Sequence, residues 1–174
     1  MTTDAYGSLI EPATLKIQRL LPGPIDRVWA YLTQSDLRKQ WLAAGEMSLK
    51  VGEPVEFVWR NDELSDPPGE RPAGFPAEHR LKSELTEVEA PYRLAFTWGS
   101  TGGVTFELEA HGKDVLLTVI HRRLPDRGLK LNVSAGWHAH LDTLVTVIKG
   151  ERAASPFWDT WVALKSDYES RIPA

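Results

Sequence analysis

Two histidines stand one residue apart in Gly136–Ile148, GWHAHLDTLVTVI, and Asp142 follows four residues after the first. Imidazole and carboxylate groups at such spacing can hold a metal or move a proton. Helical geometry divides them. At 100° per residue His138 and His140 lie about 200° apart, so one ion cannot take both from this helix. His138 and Asp142 share a face. A metal would need one or two further ligands, and no HExxH-type pattern or second cluster supplies them. The chain has no cysteine, which removes thiolate sites, disulfides and a cysteine nucleophile together. No metal or cofactor is expected, and His138 with Asp142 reads as a solvated polar edge of the helix.

His140 lies about 60° from Trp137, inside the apolar stripe of the same helix. It is either a core histidine with a satisfied ring or an acid, base or ligand-orienting group. His121 and Arg19 pose a similar alternative on strands. His121 continues the face of Val115, Leu117 and Val119, and Arg19 stands between Ile17 and Leu21. Each supplies a polar group to a mainly apolar pocket, or lies at a strand end in water. Phe57, Trp59, Phe96, Trp98, Phe106 and Trp137 occupy inward positions of their elements. They form ordinary core or line a cavity for a ring-containing or acyl ligand. With Leu141 and Leu144 from the helical stripe, these complete the candidate pocket-lining residues. There is no GxSxG and no glycine-rich phosphate loop, and Glu107, Glu109 and Asp114 fall on solvent faces or turns. No catalytic residue is assigned.

Periodicity shows which elements must position these groups. In Ala13–Leu21, Leu15, Ile17, Arg19 and Leu21 face one way and Thr14, Lys16 and Gln18 the other, a half-buried strand. Pro24 can open a helix with Val28, Trp29 and Leu32 on its apolar face. Ser35 reads as the N-cap of a second short helix ending near Trp41 and Leu42. Trp29 and Trp41 are expected to brace these helices. Strand-like runs follow at Val55–Trp59, Arg80–Val88, Leu94–Trp98, Val104–Leu108 and Val115–Leu124. The last is apolar on both faces, as a central strand is. Short turns at Glu89-Ala90-Pro91 and His111-Gly112-Lys113 imply an antiparallel meander.

Between Asn61 and Glu78, NDELSDPPGERPAGFPAE carries four prolines and two glycines, which predicts a long loop without regular structure. Such a loop is a functional flap or a mobile insertion, and Phe75 is its one large apolar side chain. Beyond Pro125 the period becomes helical. Val133, Leu141, Leu144 and Ile148 fall within about 40° of Trp137, predicting a helix of about 20 residues with one strong apolar face. Gly150 ends it. Ser155-Pro156 caps a last helix with Phe157, Trp161, Leu164, Tyr168 and Ile172 inward. Trp158 is partly outward on that helix, where it offers a homodimer contact.

The chain's 174 residues fit one domain over 13–174 preceded by a polar arm over 1–12. Net charge is −4 and no basic run occurs, so a nucleic-acid partner has no electrostatic support. No secretory signal is recognisable at the N-terminus, and no window approaches the length of a membrane span. The absence of cysteine fits a cytoplasmic protein. The fold class is α+β. A run of antiparallel strands followed by an amphipathic helix must bury one sheet face against that helix. A curved sheet cannot touch a straight helix along its whole length, and the gap that side chains do not fill is where ligands bind.

PGPIDRVWAYLT followed by Trp41 resembles the opening of START-like (Bet v 1-like, SRPBCC) domains. YRLAFTWG at 92–99, VTFELEAHGKDVLLTVIHRRL at 104–124, and GWHAHLDTLVTVI followed by PFWDTWVALKSDYESRI resemble one branch of them. That branch is similar to the C-terminal domain of the activator of Hsp90 ATPase. The resemblance covers residues 13–172. It implies a helix-grip fold, with a curved antiparallel sheet around a long C-terminal helix, two short helices after the first strand, and a pocket between sheet and helix. It also implies binding of apolar molecules, since members of the superfamily bind lipids, hormones and polyketides, and some are cyclases, aromatases or hydrolases. The named co-chaperone carries a separate N-terminal domain for which these residues have no room, so an Hsp90 interaction is not expected to carry over. The leading expectation is non-catalytic binding of an apolar or amphipathic small molecule. The alternatives are a cyclase- or hydrolase-type enzyme using His140 or His121, and a protein-interaction module.

Overall fold

The computed structural model describes residues 4–153 and 155–173. Seven strands form one antiparallel sheet in the order β1-β2-β7-β6-β5-β4-β3. They are β1 (Ser8–Glu11), β2 (Thr14–Pro22), β3 (Pro54–Trp59), β4 (His79–Glu89), β5 (Arg93–Trp98), β6 (Gly102–His111) and β7 (Asp114–Arg122). Helices α1 (Ile25–Thr33) and α2 (Ser35–Arg38) follow β2, and α3 (Arg127–Ile148) and α4 (Phe157–Arg171) end the chain. This is the helix-grip arrangement expected from the sequence.

Every strand read from alternation is present, and β7 lies inside the sheet between β2 and β6. Its turn from β6 uses Gly112 at φ 61°, a conformation glycine adopts without strain. Leu15, Ile17 and Leu21 of β2 pack inward with Val104, Phe106 and Leu108 of β6 and with Leu117 and Val119 of β7. Trp137, Leu141, Leu144 and Ile148 of α3 cover them.

Several local expectations are corrected. Residues 8–11, inside the supposed polar arm, pair with β2 as an edge strand. The loop after β3 begins with one 3₁₀ turn, Asn61–Glu63. Ser35 is the first residue of α2 rather than its cap, and its hydroxyl accepts the Gly45 N–H. The first amide of α4 is capped by Ser65 Oγ, from the loop, at 2.8 Å, so the cap comes from a distant segment instead of Ser155. Helix α3 starts at the side-chain cap of Asp126, which accepts the Leu129 N–H at 2.8 Å.

Helix α3 is buried on two sides, not one. Leu131, Ala135 and Ala139 pack against Phe157, Trp158, Trp161, Leu164 and Tyr168 of α4. The two alanines let α4 approach closely. Trp158 is consequently 5% exposed, and the outward position expected of it is not found.

Candidate functional site

A third strip of α3, between its sheet-facing and α4-facing sides and sharing Trp137 with the core, borders open space. Leu129, Asn132, Val133, Gly136, Trp137 and His140 line an opening of about 450 Å³. At 100° per residue this strip is centred about 70° round from Trp137, while Leu141 lies about 40° from Trp137 on the other side and Leu144 about 20° from it on the strip's side. The strand edge supplies Trp59, His79 and Trp98, and α4 supplies Trp158 and Trp161. The 61–78 loop supplies Asn61, Phe75, Pro76 and Ala77, and Leu42 completes the floor.

The aromatic rings touch one another around this space. Trp59 and Trp98 meet at 5.5 Å between centroids, and Trp98 and Trp137 at 6.0 Å. Phe75 stacks on Trp158 at 5.7 Å and meets Trp161 edge-on at 5.2 Å. The loop is tied down beneath Phe75. Trp158 Nε1–H donates to Asp62 Oδ1 at 2.7 Å, the Trp158 amide donates to Pro68 O at 3.1 Å, and Arg71 pairs with Asp62. The loop is therefore an ordered wall of the opening.

His140 sits on this wall with both ring nitrogens engaged. Nδ1 is 2.6 Å from Gly136 O, and Nε2 is 3.0 Å from the Asn61 side-chain amide. Burial lowers its pKa to about 4, so the ring is neutral at pH 7. The carbonyl can only accept, so the proton is on Nδ1. Nε2 then accepts, and the Asn61 amide must turn its NH₂ toward the ring. A ring with both nitrogens occupied and so low a pKa is poorly set for acid catalysis near neutrality.

His121 lies behind Trp137, whose Nε1–H donates to His121 Nδ1 at 3.0 Å. Burial first, and then Arg122, lowers its pKa to about 4. It braces the Trp137 indole from the core side. Phe57, Phe96 and Phe106 are core side chains in mutual ring contact, with 4.8 Å between Phe57 and Phe96 and 5.6 Å between Phe96 and Phe106. Leu141 and Leu144 are fully buried beside them. Of the residues singled out in the sequence, Trp59, Trp98, Trp137 and His140 meet at the opening, while Phe57, Phe96, Phe106, His121, Leu141 and Leu144 fill the interior behind it.

Arg19 is elsewhere. Its guanidinium binds Asp142 Oδ1 at 2.9 Å and the carbonyls of Ala5 and Gln18. His138 is 4% exposed and not at a solvated edge, because α4 covers it. Tyr168 Oη accepts the Gly7 N–H at 2.8 Å and donates to His138 Nδ1 at 2.9 Å, leaving Nε2–H toward Asp142 Oδ2 at 3.5 Å. This group clamps the N-terminal segment to α3 and α4. Among the described residues no group of three or more histidine, cysteine or acidic side chains could hold a metal ion.

The sequence reading missed Asn132, Gly136, Trp158 and Trp161 as parts of the opening. A glycine in the middle of an otherwise strong helix was the available signal, because such a glycine costs about 1 kcal/mol relative to alanine and calls for a spatial reason.

Comparison with known proteins matches residues 22–149 to the family described as Activator of Hsp90 ATPase homolog 1-like protein. The chain belongs to this family. Its membership places it among START-like domains, as the helix-grip fold does. A Bordetella parapertussis protein solved by NMR is 35% identical to this family member, over 100% of this chain and 97% of that one, with a TM-score of 0.79. CalU16 of Micromonospora echinospora is 19% identical, over 92% and 89% of the two chains, with a TM-score of 0.67. DynU16, from the dynemicin biosynthetic locus, is 18% identical over 83% of this chain and 50% of its own, with a TM-score of 0.65. The last two likenesses concern the fold alone. No curated protein matches the chain. No helix among the described residues is long and apolar enough to cross a membrane.

Proposed function

We propose that this protein binds an uncharged, ring-containing small molecule in the opening between α3, α4 and the 61–78 loop, without transforming it. The observation that supports this most is the lining itself. Trp59, Trp98, Trp137, Trp158, Trp161 and Phe75 surround about 450 Å³, and no lysine, arginine, aspartate or glutamate is among the lining residues. A space of this size fits a drug-sized molecule, and an apolar wall with few polar groups is the usual make-up of a ligand site. A charged ligand would lose its hydration there with no partner to replace it. Flat aromatic walls favour rings, through offset and edge-on contacts.

Uptake of the neutral fluorescent probe N-phenyl-1-naphthylamine tests the reading. The wild-type protein should enhance its emission saturably, and Gly136→Leu, whose side chain would project into the opening beside Trp161, should lose most of that enhancement. Equal enhancement by both proteins, or none by either, would refute the proposal. Native mass spectrometry of protein purified from its own host would then identify the natural occupant.

A further inference from the structure

The indoles of this wall fall into two groups. Trp137 and Trp158 donate their N–H groups to His121 Nδ1 and Asp62 Oδ1. Trp59, Trp98 and Trp161 also line the opening, and their N–H groups meet no acceptor among the described residues. These nitrogens are not shut away either. Among the described residues the buried side-chain atoms left without a partner are Ser83 Oγ, His111 Nε2, Asn132 Oδ1 and Ser134 Oγ, and no indole nitrogen is one of them. Trp59 and Trp161 are 7% and 6% exposed, so the little surface each keeps open, its nitrogen included, belongs to the opening it lines. The donors stand on opposite sides. Trp59 and Trp98 are neighbours at the ends of β3 and β5, with 5.5 Å between centroids. Trp161 is on α4, and its Nε1 lies 4.0 Å from the point where a side chain at Gly136 would begin.

Water satisfies such donors while a site holds solvent. A ring compound that enters displaces it, and each N–H that then finds no acceptor costs binding free energy. The wall has few acceptors to offer. His140 Nε2 takes the Asn61 NH₂, and Asn132 Oδ1 is closed off. The Asn61 oxygen and the exposed ring of His79 remain, against three donors. The occupant must therefore bring acceptors, and donors of its own are of little use. The ring faces add a second preference. An indole presents a negative face, which attracts the positively polarised face of an electron-poor ring. Resting on the binding reading above, we infer that the opening is a quinone site. A para-quinone is neutral, flat and electron-poor, with two acceptor oxygens on opposite edges and no donor. One oxygen accepts from Trp161 Nε1–H and the other from Trp59 or Trp98 Nε1–H, with the ring held between the strand-edge and α4 indoles. These three residues then set specificity, because a hydrocarbon of the same outline leaves their N–H groups unpaired.

The test compares 1,4-naphthoquinone with 1,4-dimethylnaphthalene, which puts a methyl group where each oxygen stands. Equilibrium dialysis measures both, with N-phenyl-1-naphthylamine uptake as the control for an open pocket. The chain has no cysteine for the quinone to alkylate. Trp161→Phe, Trp59→Phe and Trp98→Phe each keep a ring and remove a donor. Compared between wild type and variant, the ratio of the two affinities cancels both the smaller ring and the greater hydrophobicity of the hydrocarbon. That ratio should shift against the quinone by about three- to tenfold in Trp161→Phe and in one or both of the strand variants. In wild type the carbonyl stretch of the bound quinone should move to lower wavenumber, a readout that needs no variant to fold. An unmoved stretch, or an unchanged ratio in all three variants, overturns the inference and leaves the pocket reading standing. A ratio that falls for one side only means a single bound carbonyl, and overturns the quinone assignment. Probe uptake without quinone binding overturns it as well, and absence of probe uptake defeats both readings.

Discussion

The aromatic interior has two ends, and they differ in how they are closed. At one end α1 and α2 seal it. Trp41 is fully buried, donates to Tyr31 O at 2.9 Å and meets Phe106 at 6.4 Å. Arg38 is fully buried there too, stacked over Phe57 at 5.1 Å, with the carbonyls of Leu32, Ala43 and Gly45 as its acceptors. Burial lowers its pKa to about 10, which still leaves it charged at pH 7. At the other end the residue types are similar but the rings enclose space. Trp59, Trp98 and Trp137 face α4 and the loop across the opening, and Gly136 puts no side chain between them. Aromatic content alone therefore does not mark a pocket. What marks it is the missing side chain, together with a loop pinned at a distance.

The largest contrast is in stability. Phe106→Ala removes a ring packed against Trp41, Phe96 and Trp137 at the filled end, and should cost about 3–5 kcal/mol in urea unfolding. Phe75→Ala removes a ring that is 37% exposed at the open end, and should cost about 1 kcal/mol or less. Similar costs at both positions would erase the distinction between the ends.

Acid reaches the open end through two histidines. His121 stands behind the aromatic wall and His140 on it, and each has its pKa lowered to about 4 from an ordinary 6.5. Between those values the unfolded chain binds protons that the folded protein does not, so stability rises with pH across this window. It should fall as pH drops from about 6.5 toward 4, by up to roughly 3 kcal/mol for each ring. Urea midpoints at successive pH values, with NMR titration of the two imidazoles, would measure this. A His140 ring that titrates near 6.5 while His121 stays neutral would show that water reaches the open end far more than its burial implies.

The clamp on the far part of α4 separates support from pocket. Tyr168→Phe leaves the buried Gly7 N–H and His138 Nδ1 without their partner. The expected loss is about 1–3 kcal/mol, with faster amide exchange in residues 4–11. Probe uptake should be unchanged, because Tyr168 does not line the opening. A loss of uptake would tie the two regions together.

Much of this architecture was legible from period alone. The strands followed from alternation, because one sheet face is buried and the other is not. Helix α3 was legible in extent but not in its surroundings. Its residues serve three neighbours, with Leu141 and Leu144 toward the sheet, Ala135 and Ala139 toward α4, and Asn132 and His140 toward the opening. A single apolar stripe centred on Trp137 merges the first and third, which is why Leu141 and His140 were grouped. His138 read as solvated because a helical wheel carries no information about what covers its back. Arg19 kept its inward position, yet its partner, Asp142, is 123 residues away and no local pattern links them. Asn132 gave no signal at all, since one polar residue in a helix is ordinary until its oxygen is found buried and unpaired.

Gly136 offers the smallest expected effect and the most direct test of why the ends differ. Within a helix, glycine is less favourable than alanine by about 0.5–1 kcal/mol, because its backbone loses more freedom on folding. A methyl group at Gly136 would meet only Trp161 Nε1, at 4.0 Å, an ordinary contact. Gly136→Ala should therefore raise stability by about that amount, a thermal shift of roughly 1–4 °C in a chain of this size. Probe uptake should weaken modestly as the opening narrows. If the variant is instead destabilised, the wall has no spare room at this point, and glycine is present to let α4 pack rather than to keep the opening clear. A gain in stability with a loss in uptake identifies the glycine as a residue whose cost to the helix is offset by the space it leaves.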